Sequence, residues 1–125
     1  MRALPQSGYP LELADNEFMP IAPIGFVQQD QLNREVDQAV AKLSKKEVVR
    51  VRYSVGVDST GELAIFFRIV LTDAASKADV LADVTGRISA TLFDELRPYE
   101  NWGVIPYFNF RSKSEQDKRN EPEWA

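Results

Sequence analysis

Arginine is the residue best placed to do chemistry in this chain. Arg68 sits inside "AIFFRIVLTD" (64–73), between Phe67 and Ile69, and Arg50 and Arg52 alternate with Val49, Val51 and Tyr53. Arg111 follows Phe110 in a third apolar stretch. A guanidinium is a permanent planar cation with a fork of donors that fits carboxylates and phosphates. Aromatic neighbours add faces on which bases or cations stack. The chemistry these residues suggest is recognition of anionic or acidic partners, not bond making.

The composition agrees. The chain has no Cys and no His, so thiolate nucleophiles, disulfides, the commonest general base and the commonest metal ligand are missing. "GVDSTG" (56–61) is too short for a phosphate loop and lacks its lysine. No GxGxxG, GxSxG, GxxG clamp or glycosylation sequon occurs. Asp73, Asp79 and Asp83 could be read as ligands for a hard cation, but Asp83 stands four residues before Arg87, an ordinary surface pair. Nothing sets a nucleophile beside a base. A non-catalytic protein with no metal and no cofactor is expected. The net charge of −4 argues against general nucleic-acid or acidic-membrane binding. No apolar run reaches the roughly 18 residues of a membrane span. "MRALPQSGYP" has no apolar h-region, so a cytoplasmic location is expected.

These arginines must be positioned by local elements. Residues 1–29 hold Pro5, Pro10, Pro20 and Pro23, which disfavour helix. They also hold Phe18, Met19, Ile21, Ile24 and Phe26, more large apolar groups than a disordered tail normally carries. The reading is an extended Pro-rich arm that docks through Phe18, Ile21 and Phe26. A single α+β domain over 30–111 follows. Asp30 serves as N-cap of a first helix to about Lys46, with Leu32, Val36, Ala39 or Val40, and Leu43 inward. Val49 to Val57 alternates as a strand, and Glu62 to Leu71 forms a second. "DSTG" between them fits a type I turn closed by a left-handed Gly61. Residues 74–97 return to helical spacing, with Ser76 and Asp79 as a capping box, Leu81, Val84, Ile88, Leu92 and Leu96 inward, and Pro98 as the stop. Gly86, within that helix, is either tolerated or a point of close packing. Val104 to Arg111 is the third strand. Residues 112–125 are a polar charged tail, expected to be loosely ordered apart from a docking role for Trp124.

The predicted order is arm-α-β-β-α-β: a three-stranded mixed sheet, two helices packed on one face and the other face uncovered. Strand one is expected in the middle, with strand three parallel to strand two. This order resembles that of several small α+β modules, among them the cytoplasmic domains of cation-efflux transporters and BolA-like proteins. Their metal-binding or histidine residues have no counterpart here, so the resemblance implies no site.

The turn also fixes the register. Asp58 opposite Glu62 sets Val57 against Leu63, Val55 against Ile65, Tyr53 against Phe67 and Val51 against Ile69, all on the helix-covered side. The other side then pairs Ser54 with Phe66, Arg52 with Arg68 and Arg50 with Val70. Strand three adds Ile105, Tyr107, Asn109 and Arg111. The uncovered face thus gathers Arg50, Arg52, Arg68, Arg111, Phe66, Tyr107 and Asn109. Directly opposed arginines are unfavourable unless an anion neutralises them. The arm offers Glu12, Asp15 and Glu17. A merely solvated face, with arginine stems shielding apolar neighbours, is the plain reading, but Phe66, Val70 and Ile105 are much apolar surface to leave wet. The leading expectation is a homo-oligomer, with a second protein partner possible, assembled through this face and the arm. Nucleic-acid or anionic-ligand binding through the same arginines is the alternative.

Overall fold

The computed structural model describes residues 29–125. Helix α1 (Gln29–Val40) leads into strand β1 (Val48–Val57), the hairpin strand β2 (Leu63–Leu71), helix α2 (Leu81–Leu96), the short helix α3 (Pro98–Trp102), strand β3 (Ile105–Ser112) and helix α4 (Lys113–Arg119). Single turns of 3-10 helix occur at Ala74–Ser76 and Pro122–Trp124. The expected docking of Phe18, Ile21 and Phe26 falls on residues outside the described ones.

The fold is α+β, a three-stranded mixed sheet with α1 and α2 packed on one side. The strand order is β1-β2-β3, with β2 antiparallel to β1 and parallel to β3. Strand two, not strand one, is therefore central. The crossover through α2 returns the chain to lie beside the strand it has just left, which is how a β-α-β unit closes. Centrality also explains the composition of β2. Its residues on both faces are closed off, from Ile65, Phe67 and Ile69 on the helix side to Ala64 and Val70 on the other. β1, an edge strand, alternates instead.

The hairpin register is the one the turn dictates: Val57 faces Leu63, Tyr53 faces Phe67 and Arg52 faces Arg68. Gly61 has φ 86°, and its amide donates to the Asp58 carbonyl at 3.1 Å. One carboxylate oxygen of Asp58 takes the Thr60 amide, the Thr60 hydroxyl and the Glu62 amide at 2.9, 2.7 and 2.9 Å. The turn is thus held by a side chain that the left-handed glycine lets the chain wrap around.

Over this sheet, Leu32, Val36 and Ala39 of α1 and Val84, Ile88, Leu92 and Leu96 of α2 close the core. Phe67 stacks on Phe108 at 5.3 Å, and Tyr53 flanks Phe67 at 6.2 Å. Lys42–Glu95 and Arg87–Glu47 ion pairs tie α2 to the connection between α1 and β1.

Several boundaries differ from expectation. Asp30 lies inside the first turn of α1 and not before it, and α1 ends at Val40, although Leu43 still packs on the core. The capping box does not form. Ser76 sits in the 3-10 turn and donates to the Thr72 carbonyl at 2.9 Å, and α2 begins only at Leu81, with no side-chain cap. At Gly86 a Cβ would meet nothing within 4 Å, so this glycine is tolerated, not a close approach. Arg97 ends α2 in the left-handed region, and Pro98 is the first residue of α3.

A Cβ at Gly61 would also meet no atom within 4 Å, so its demand is purely one of backbone conformation. Gly61→Val is expected to lower unfolding free energy by at least about 1 kcal/mol, because a β-branched residue resists positive φ. Denaturant unfolding measures it, and an unchanged midpoint would reject the turn.

Candidate functional site

The sheet side opposite α1 and α2 is built in three rows that follow the strand pairing. One row is Arg50, Val70 and Arg111; the next is Arg52, Arg68 and Asn109; the third is Ser54, Phe66 and Tyr107. All seven residues expected on this face are brought together there.

The first row is closed by the chain itself. Residues 112–125 are not the loosely ordered tail expected. Ser112 caps α4 by accepting the Glu115 amide at 3.0 Å, and Lys113–Asp117 and Glu115–Arg119 pairs support the helix. Asp73 takes the Ser114 amide and hydroxyl at 3.0 and 2.5 Å, fastening the start of α4 to the end of β2. That use of Asp73, and the Arg87 partner of Asp83, engage two of the three carboxylates that might have held a cation. Among the described residues no group of three such side chains is placed to hold a metal ion.

From α4 the chain turns back through Asn120, whose φ is 52°, and lays Glu121–Ala125 on the sheet. Trp124 docks as expected: its ring lies 4.1 Å from the Arg111 guanidinium. Arg111 also pairs with Glu121 at 2.8 Å and donates to Gln116 Oε1 at 2.9 Å, and its side chain is only 10% exposed. Gln116 is buried and returns a bond to the Glu121 carbonyl at 3.1 Å. Arg50 Nε donates to the Trp124 carbonyl at 2.8 Å, and Arg52 Nε to the Ala125 backbone oxygen at 2.6 Å. Val70, between Arg50 and Arg111, is 0% exposed. A guanidinium under an indole with a carboxylate alongside is a strong local combination, because desolvation strengthens both attractions.

Apart from Arg52, which Ala125 engages, the other two rows stay open. Arg68 donates to Ser54 Oγ at 3.0 Å, and Arg52 gives a further weak bond to its neighbour's carbonyl at 3.4 Å. No side-chain carboxylate pairs with Arg68 among the described residues, while Arg52 across from it is engaged by the Ala125 oxygen. Phe66 stacks on Tyr107 at 5.4 Å with rings 13° apart, an aromatic platform beside the arginine pair. Tyr107 is 39% exposed.

Tyr107 anchors this platform by donating to the second carboxylate oxygen of Asp58 at 2.7 Å. That bond is the main reason Asp58 is held down to about 2, with the Thr60 hydroxyl and the Glu62 and Thr60 amides adding to it. The same bond raises the Tyr107 hydroxyl above its ordinary range. No membrane-spanning helix occurs among the described residues. On the helix side, a groove of about 980 Å³ runs between α2, at Ala82, Thr85 and Gly86, and β3, at Pro106, Phe108 and Phe110.

Sequence reasoning missed Gln116 and Glu121 as partners of Arg111 and Ser54 as partner of Arg68. Ser112 three residues before Glu115 was a readable helix start. The return of the chain at Asn120 had no such sign. Comparison with protein-family models, with curated proteins and with solved structures finds no match.

Because the folded value of Asp58 lies below its unfolded value near 3.8, its contribution to stability is present above that value and is lost as pH falls toward about 2. An NMR titration should place Asp58 at about 2. Tyr107→Phe should move it upward but short of the ordinary value, since the Thr60 and Glu62 bonds remain. An unmoved midpoint would show that Tyr107 does not anchor the turn.

Proposed function

We propose that the chain is a non-catalytic interaction module that assembles with itself through the arginine and aromatic sheet face. The observation that carries this reading is that the face already holds one peptide segment. Glu121–Ala125 is bound there by an ion pair, a cation–π contact and two guanidinium bonds to backbone oxygens. These are the forces by which arginine-rich protein interfaces hold a partner.

Beyond Ala125, which takes a bond from Arg52, the face still presents Arg68, Asn109, Phe66 and Tyr107 with no described occupant. Placing Arg52 directly against Arg68 costs free energy that an anionic partner offsets, and of the two Arg68 has only the Ser54 hydroxyl among the described residues. Phe66 and Tyr107 supply the flat apolar area that anchors an interface. A nucleic acid could use the same groups, but it would meet Glu121 and Asp58 at the rim of the face, and the chain's net charge is −4. An acidic peptide is the better fit.

Light scattering over a concentration series tests the reading. The wild type should be an oligomer. Arg52→Glu with Arg68→Glu should raise the dissociation constant by at least ~30-fold, the scale for breaking desolvated charge pairs. A monomeric wild type rejects self-association. A double variant that stays assembled but loses salt-sensitive binding to single-stranded RNA favours the nucleic-acid alternative.

A further inference from the structure

Strand β3 closes the sheet order β1-β2-β3, and its outer side has no strand partner among the described residues. Pro106 shows which of its backbone groups point there. It has no amide hydrogen, yet it sits in the ladder opposite Ile65. It can do so only with its nitrogen turned away from β2, where no donor is needed. Backbone direction alternates along a parallel strand. The amides and carbonyls of Phe108 and Phe110 therefore point outward as well, and those of Tyr107 and Asn109 point to β2. Among the described residues no other backbone group bonds to that outer side. Such a row of unpaired groups is a template for another strand.

The side chains of Phe108 and Phe110 face the helices, which cover them only in part. Between them and α2 lies the groove of about 980 Å³. On its α2 wall, a Cβ at Gly86 would meet nothing within 4 Å. The other edge strand, β1, is built differently: Gln29 and Asn33 of α1 reach over its helix side and bond to Tyr53. β3 alone joins an open edge to an apolar face left half covered. We infer that the outer edge of β3 pairs, antiparallel, with the same edge of a second copy of this chain, and that the second copy closes the groove. This contact is separate from the arginine face and goes beyond the self-association proposed through it.

The sequence of β3 is complementary to itself in this pairing. Two copies of one edge related by a two-fold axis run antiparallel, and each residue contacts the other copy's equivalent partner. With the axis at Phe108, near the middle of the strand, each Phe108 amide donates to the other copy's Phe108 carbonyl. Each Phe110 amide donates to the other copy's Pro106 carbonyl, so the missing Pro106 donor forfeits only the return bond. On the helix side Phe108 meets Phe108 and Pro106 meets Phe110, apolar against apolar. On the arginine side Tyr107 meets Asn109 and Ile105 meets Arg111, so no like charges face each other across the pair. The paired strands carry the helix-side residues of each copy to the open side of the other's groove.

Amide hydrogen exchange of the purified full-length protein, read by NMR over a concentration series, tests the pairing. The Tyr107 and Asn109 amides, turned to β2, should exchange slowly at every concentration. The Phe108 and Phe110 amides should exchange at least ~10-fold more slowly in the assembled protein than after dilution to monomer. Gly86→Arg sets a cation on the groove wall, where the chain's own fold leaves room and arginine is the better helix former. This variant should keep the fold but lose the protection of Phe108 and Phe110, because pairing then desolvates a charge. Fast exchange of both amides at every concentration overturns the inference, whether or not the protein assembles through its arginines. Slow exchange that persists in the monomer also overturns it, since the edge is then covered within one chain. Protection that survives in Gly86→Arg overturns the closing of the groove. If Arg52→Glu with Arg68→Glu assembles as wild type does and keeps the protection, the arginine-face reading fails and this inference stands.

Discussion

The hairpin turn from Asp58 to Glu62 sets the side on which every residue of the sheet falls. Gly61 in the left-handed region and Asp58 bonded to Thr60 and Glu62 leave one way to pair β1 with β2. A slip of one residue would carry Phe67 and Ile69 out of the core and Arg68 into it, which the cost of burying an unpaired cation forbids. The same register puts Arg52 against Arg68. The core and the arginine face are therefore two consequences of one turn. Tyr107 ties the third strand to the same aspartate, so the aromatic platform shares that anchor.

Charge on this face is handled in two ways. Where the chain folds back, Arg50 and Arg111 are engaged by carbonyl and carboxylate oxygens and an indole, and the valine between them is sealed from water. One row further on, Arg68 has only the Ser54 hydroxyl among the described residues. The strands differ too, with Arg50, Val70 and Arg111 in one row and Arg52, Arg68 and Asn109 in the next. The segment Glu121–Ala125 thus covers one end of the face, and Arg68, Phe66 and Tyr107 lie beyond it.

Most of the architecture was legible because it rests on short-range signals. Alternation from Val49 to Val57 marked a half-buried strand, "DSTG" gave the turn, and together they gave each opposed pair. The strand order was misjudged, although the apolar run from Ile65 to Leu71, broken only by Arg68, already suited a strand covered on both faces. Start signals proved weak where tertiary contacts decide: Ser76 bonds back to Thr72 instead of capping α2. The site was readable as to which residues share the face, since parity is local. Its occupancy was not, because the return of Trp124 onto Arg111 depends on a reversal at Asn120 and on contacts distant in sequence.

The central claim is that Arg52 and Arg68 meet a partner chain. The most direct measurement is NMR of the arginine side-chain Nε–H signals as the protein is diluted from its assembled state. The account predicts that the Arg52 and Arg68 signals move with the fraction assembled, while that of Arg87, paired with Glu47 and Asp83 on the helix side, stays in place. Signals of Arg52 and Arg68 that stay fixed while the mass changes would contradict it.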